Sequence, residues 1–475
     1  MLFYEPLFLF LFLPLVYLLY LLVERQFRLR AAVILLASVF FYAWSEPLFV
    51  PVVLLSGALD HALGLRLARA PRQSRRAHTL LAIGVVANIG ILIHYKYTRF
   101  LIENIDSLLH GLAIPPLTVP QIALPIGVSF IVFEKITYLV DIQRGLSRPA
   151  PSFTRYLLYV FFFPKLLAGP IIKYHEMEAQ IETLPAANFD DFAAGFLRFM
   201  LGVVKKTLLA DTLATGADSV FNDRTGFVGF GDAWWGVILF TFQIYFDFSA
   251  YSDMAIGIAR MLGFRLRENF NMPYISCSIT EFWHRWHISL STWIREYLYI
   301  PLGGNRVGVA RQYLNLWICF LASGIWHGAA WTYVIWGAYN GLFLALDKLF
   351  LLRVLRWVPP LVANAFTFFV VMVGWVLFRA HSLDQAGEFF HAMLHPGLIG
   401  TTTQIYITTD IKTAAVVAAI ICAIPRLPGW PWLRDQALRP EWRAFAVQMA
   451  LAALFVGAVG KAVADPFKPF LYFRF

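Results

Sequence analysis

Charge is what this chain has least of. Only 14% of its 475 residues are Asp, Glu, Lys or Arg, while 59% are hydrophobic; a soluble domain carries about 25% charged residues. That shortage excludes an ordinary soluble protein of this size. Acid is scarcer than base, with 29 acidic against 39 basic residues. Cysteine is rarer still: Cys277, Cys319 and Cys422 show no paired spacing, so neither a disulfide framework nor a cysteine metal site is expected. No Ser- or Gly-rich linker separates domains, and no internal repeat is visible. A P-loop, a dinucleotide fingerprint, a His-Glu-x-x-His zinc motif and a Gly-x-Ser-x-Gly elbow are all missing.

What is there is a series of apolar windows, many near the length of a bilayer crossing. Spans are expected near 8–23, 31–44, 49–65, 80–94, 122–140, 156–167, 196–213, 234–261, 313–350, 361–377, 414–424 and 445–463. Some are too short or too polar for a simple crossing, and 234–261 and 313–350 are each long enough for two helices. The expectation is an all-α polytopic membrane protein, residues 1–475 forming one domain of about eleven crossings plus re-entrant or interfacial pieces. The first span reads as a crossing and not a cleaved signal, since it lacks a basic start and a small-residue cleavage site.

The net charge of +10 invites a nucleic-acid reading, but its placement opposes one. Arg25, Arg28 and Arg30 follow the first span, Arg66 to Arg76 the third, and Arg144 to Arg155 the fifth. Alternate loops rich in Arg are the positive-inside signal. The amino terminus is therefore expected outside, with the carboxyl end PFKPFLYFRF in the cytoplasm, and the partner is lipid.

Chemistry concentrates in the centre. His327, in SGIWHGAAW, is a lone titratable ring inside the apolar run 313–341, and such a ring is functional by default. Neutral imidazole is the form a general base needs, and burial favours it. Gly324 with Gly328, and Gly337 with Gly341, carry the small-residue spacing that lets helices approach closely. The alternatives are a histidine that only bridges helices, or a transporter's proton relay. Upstream, Glu281–Ile300 is too polar for a span and too aromatic for a loop; as one helix it would align His284, His287 and Ser291. That histidine pair does not make a metal site, so no metal is expected. Arg285, Arg295, Arg306 and Arg311 flank the Gly303-Gly304 turn and suit either donor phosphates or lipid headgroups.

Polar residues elsewhere read as structure. Lys135 with Glu134 or Asp141 makes a buried pair, and Arg379 snorkels or meets a carboxylate. Asp247 and Asp253 must face protein or water, and the Gly169-Pro170 break fits a re-entrant turn. His175 to Asp191 reads as a surface helix and loop, and His395 to Asp410 as a second extramembrane stretch.

WHRWHISLSTWIREYLYIPLGGNR (Trp283 to Arg306) and SGIWHGAAWTYVIWGAYNG (Ser323 to Gly341) together resemble the signature of the membrane-bound O-acyltransferases. LPIGVSFIVFEKITYLVD, FFPKLLAGPI, YFDFSAYSDMAIG, WVLFRA and FLYFRF extend the resemblance in order along almost the whole chain, nearest the branch of bacterial alginate O-acetylation proteins. One departure is His284, where that branch usually has Arg, which argues against a catalytic role for it. The resemblance implies helices around a central funnel and transfer of an acyl group from a thioester to a hydroxyl. It makes His327 the catalytic histidine and His287 the second signature histidine. Arg285, Ser291, Arg295, Asn305, Arg306, Trp326 and Asn340 become the expected donor- or acceptor-binding residues. No cofactor is bound; acetyl-coenzyme A or another acyl thioester is the donor. The partners implied are a periplasmic SGNH-like acetyltransferase and a polysaccharide secretion complex at the inner membrane. D-alanyl transfer to teichoic acid, a polysaccharide transporter and a silent assembly scaffold are the competing readings.

Overall fold

The computed structural model describes residues 1–110, 115–118, 120–223, 227–400, 407–426, 445–465 and 470–471. These form helices and loops, with no strand among the described residues. Part of the Gly- and Thr-rich stretch after His395, and most of the carboxyl tail, lie outside them. Among the described residues five helices are long and apolar enough to cross a bilayer: Val50–Arg69, Arg75–His110, Trp331–Leu355, Pro360–Arg379 and Phe445–Ala464. Phe8–Leu22 is a shorter apolar one. On Phe445–Ala464 only Ala458 is buried, as suits a helix whose apolar side chains meet lipid.

The chain divides into two compact units, residues 1–192 with 258–267, and residues 193–257 with 268–475. In the first, α1 (Leu13–Leu22), α2 (Phe27–Ala43), α3 (Val50–Arg69) and α4 (Arg75–Leu92) are followed by α5 (Thr98–His110) and α6 (Val128–Arg144). The fourth span was expected to end near residue 94, but α4 runs through a π-turn at Ile93–Tyr97 directly into α5. Neither Pro nor Gly lies between Ile91 and His110 to stop the helix. After α7 (Phe153–Phe161) and the single turn α8 (Phe163–Leu166) the backbone is irregular to Lys173, yet residues 161–174 are all buried. This matches the expected break at Gly169-Pro170. The next helix, α9 (Tyr174–Thr183), and the loop after it are the surface stretch expected from His175.

Lys135, Glu134 and Asp141 are each paired, but not with the neighbours the sequence suggested. Lys135 reaches Asp60 on α3 at 3.2 Å, and Asn88 on α4 donates to the same carboxylate at 2.9 Å. Glu134 instead takes Lys165, and Asp141 takes His175. Adjacent residues of a helix point in different directions, so Glu134 and Lys135 cannot share a partner easily.

In the second unit, α10 (Phe189–Val204, entered at residue 193), α11 (Asp211–Phe221) and the 32-residue α12 (Phe230–Met261) bring polar residues inside. Lys206 lies 2.7 Å from Asp247 and 2.8 Å from Asp211. Asp253 receives Arg198 and Lys205 at 2.9 and 2.8 Å. Both aspartates therefore face protein, as a carboxylate in apolar surroundings requires. Arg379 meets Asp218 at 2.8 Å, which decides between pairing and snorkelling in favour of the pair.

The two long apolar runs behave differently. Residues 234–261 stay one helix. Residues 313–350 split into α15 (Val309–His327) and α16 (Trp331–Leu346), joined by the extended residues around Gly328. Close approach of these two helices needs glycine. A Cβ on Gly337 would stand 2.5 Å from the Phe320 carbonyl oxygen, and one on Gly324 would strike the Tyr333 carbonyl.

Candidate active site

The aromatic segment before α15 is built from two short helices, α13 (Ile279–Arg285) and α14 (Ile288–Ile294). Ser278 caps α13 by accepting from the Glu281 amide at 3.0 Å, and Glu281 accepts from the Cys277 amide at 2.8 Å. This is a close relative of the capping box. At Trp286 the backbone becomes extended, and at His287 it turns left-handed, with φ 43° and ψ 55°. The expected common face of His284, His287 and Ser291 is therefore not formed: His284 is exposed, Ser291 is half-buried and His287 is fully buried. A continuous helix would turn Trp286 and His287 about 100° apart. The break lets both go inward, Trp286 against Phe282 and Trp375 at 5.5 and 5.1 Å between ring centroids. A non-glycine residue held left-handed costs about 1–3 kcal/mol and is a pointer to function.

His327 was expected in the middle of a spanning helix. It is the last residue of α15, where the chain turns toward α16. Its ring is enclosed by three aromatic neighbours, Trp326 at 4.9 Å, Trp336 at 5.1 Å and perpendicular, and Phe378 at 5.3 Å. His287 stands edge-on to Phe248 at 4.7 Å and 6.0 Å from Trp326. The two imidazoles are 6.5 Å apart, centroid to centroid. Two buried imidazoles held across an aromatic enclosure can move a proton and hold a small polar group between them.

Of the residues expected at the site, the structure brings together His287, His327 and Trp326. Asn340 is buried on α16 but donates its amide to the Trp336 carbonyl one turn back, at 2.8 Å. Arg285 is tied to Glu281 at 2.8 Å and to the Asn271 carbonyl. Arg295 is exposed beside Glu296, and Asn305 and Arg306 are exposed on the turn that Gly303 and Gly304, both at positive φ, allow. These four do not line the histidine pair. Phe248, Trp336, Phe378 and Asn269 were not singled out from the sequence. Asn269 carried one signal, a buried-type polar run (NFNMP) between an apolar helix and the aromatic segment.

Fold and site define a helical membrane protein with two buried imidazoles enclosed among its helices. Residues 143–381, which include both histidines, match the membrane-bound O-acyltransferase family. The chain is 39% identical, over the full length of both, to the probable alginate O-acetylase AlgI of Azotobacter vinelandii. It is 34% identical to the peptidoglycan O-acetyltransferase of Helicobacter pylori, covering 85% of this chain and 81% of that one. Similarity to the teichoic acid D-alanyltransferase of Bacillus subtilis is 26% over 53% of this chain and 68% of that protein. The chain belongs to the membrane-bound O-acyltransferase family, and it is an acyltransferase.

Proposed function

We propose that this protein moves an acetyl group from a cytoplasmic thioester to a hydroxyl, for O-acetylation of an exported polysaccharide. The observation that carries this reading is the enclosed pair His287 and His327, 6.5 Å apart within a family of acyltransferases. A hydroxyl oxygen between the two rings can donate to one ring nitrogen and accept from the other. The acceptor hydroxyl sits there in this mechanism. His327 takes its proton as the oxygen attacks the acyl carbonyl; the tetrahedral intermediate collapses, and the thiolate leaves with the proton returned from His327. His287 orients the reacting oxygen and stabilises developing charge.

Acetyl-coenzyme A is the proposed donor. Relatives named for O-acetylation match at 34–39% identity over most or all of the chain, which favours acetyl over the D-alanyl reading. In the same proposal residues 1–475 work as one domain of about eleven crossings around a funnel, with the amino terminus outside and the carboxyl terminus in the cytoplasm. The protein then sits in the inner membrane, beside a periplasmic SGNH-like acetyltransferase and a polysaccharide secretion complex. The acceptor hydroxyl can belong to that acetyltransferase. Arg285, Arg295 and Arg306 face solvent or an acidic neighbour, so they suit recognition of donor phosphates outside the histidine pair.

The test is transfer of labelled acetyl from acetyl-coenzyme A by purified protein in lipid, wild type beside His327→Ala. Release of coenzyme A by the wild type, lost in a folded His327→Ala protein, is the expected result. Equal turnover in both removes His327 from the mechanism.

A further inference from the structure

α14 is capped from outside itself. His287 occupies the N-cap position, yet its side chain makes no cap hydrogen bond. The first-turn amides of Ile288 and Ser289 are taken by a residue well upstream in the chain, Asn269, which is fully buried. Its backbone carbonyl accepts from the Ile288 amide at 2.9 Å. Its side-chain oxygen accepts from the Ser289 amide at 3.2 Å and the Ser289 hydroxyl at 2.9 Å. Its amide nitrogen donates to the Ser252 hydroxyl on α12 at 3.2 Å. A helix usually draws this capping from its own N-cap side chain. Here the task has moved to Asn269, which lets the residue at the N-cap keep a left-handed backbone and turn its ring inward.

We infer that Asn269 is the positioning residue of the histidine pair: it locks the Ile288–Ser289 backbone so that His287 faces His327. This rests on the acyl-transfer reading for its kinetic consequence, though not for its geometry. Asn269 does not touch the reacting atoms, so its loss acts on the rate of the step and leaves donor binding unchanged. Asp at this position keeps the oxygen that Ser289 needs, and the Ser252 hydroxyl can rotate to donate in return. Leu keeps the approximate size and removes every side-chain bond.

The experiment compares wild type, Asn269→Leu, Asn269→Asp and Ser289→Ala in lipid nanodiscs. Three quantities are read: kcat and KM for acetyl-coenzyme A, the unfolding midpoint, and carbethoxylation of His287 by mass spectrometry against exposed His284 in the same sample. Displacing a reacting group by about 1 Å costs on the order of 100-fold in rate, so Asn269→Leu is expected to lose about that in kcat with KM unchanged. His287 labelling is expected to rise in Asn269→Leu, and Asn269→Asp is expected to restore both kcat and protection. Ser289→Ala, which deletes one of three bonds, gives an intermediate kcat and serves if Asn269→Leu does not fold. Unchanged His287 labelling in both Asn269→Leu and Ser289→Ala overturns the inference, as does failure of Asp to restore what Leu removes. If the wild type transfers no acetyl, the acyl-transfer reading fails, and the labelling contrast still decides what Asn269 does.

Discussion

Gly337→Ala puts one methyl group where two helices touch. The new Cβ would lie 2.5 Å from the Phe320 carbonyl oxygen and 3.2 Å from the Gly324 Cα. Both are backbone atoms, so no rotamer change relieves the clash. Ordinary contact begins at 3.4 Å, and α15 and α16 must part by about 0.9 Å at this point. Overpacking of this kind costs about 1–3 kcal/mol, and alanine's better helix propensity returns up to ~1 kcal/mol. A net loss of about 0–2 kcal/mol against wild type follows from those two figures, and about 1–3 kcal/mol against a control that gains the same propensity. His327 ends α15 one turn beyond Gly324, so it moves with the displaced backbone, and turnover should fall by roughly tenfold or more. Gly457→Ala is the control, because nothing lies within 4 Å of a Cβ there. Unfolding midpoints in detergent and acetyl transfer in vesicles are measured on both variants. If Gly337→Ala matches Gly457→Ala in stability and turnover, the close contact between α15 and α16 does not hold His327 in place.

Two further outcomes follow from the geometry. At His287 the usual helix ranking should invert: His287→Gly should be more stable than His287→Ala by about 1 kcal/mol, because only glycine adopts the left-handed backbone at no steric cost. Both should be inactive, and equal midpoints, or alanine ahead, would show that the backbone there is not left-handed. The second concerns His175, outside the spans, whose ring accepts partnership with Asp141 at 2.9 Å. That hydrogen bond, with Asp141 and Glu176 charge against the opposing effects of burial and Lys173, holds the ring's pKa above its ordinary value. Its contribution to stability is therefore complete below about pH 6.5 and fades as pH rises through the raised value. The unfolding midpoint of wild type should drop more steeply above that pH than that of His175→Gln; parallel curves would remove the pair from the stability balance.

Much of the architecture was legible because apolar runs in a membrane protein have few alternatives. The helices from Val50, Arg75 and Pro360, and the inward aspartates of α12, followed from length and from the cost of exposing charge to lipid. His327 was legible as a lone titratable ring, although its place at a helix end was not: Gly328-Ala329-Ala330 turns the chain without a polar residue or proline to mark it. The break at Trp286 and His287 was hidden for a related reason. Residues 281–294 contain neither Pro nor Gly, so their spacing reads as one helix, and the left-handed residue exists only because Asn269 holds the next two amides. Lys135 was matched to a local acid when its partner, Asp60, lies on another helix. Partners of that kind are fixed by packing, and local spacing does not encode them.

The paired interior charges also constrain how the chain can enter a membrane. Glu134 precedes its lysine by 31 residues, and Arg198 precedes Asp253 by 55. A crossing takes about 20 residues, so the first charge of each pair leaves the ribosome at least a helix ahead of the group that neutralises it. Inserting it alone costs about 2.5–3.5 kcal/mol at the bilayer centre. These segments therefore gain from leaving the insertion machinery together as hairpins, with the order of synthesis written into the spacing of opposite charges.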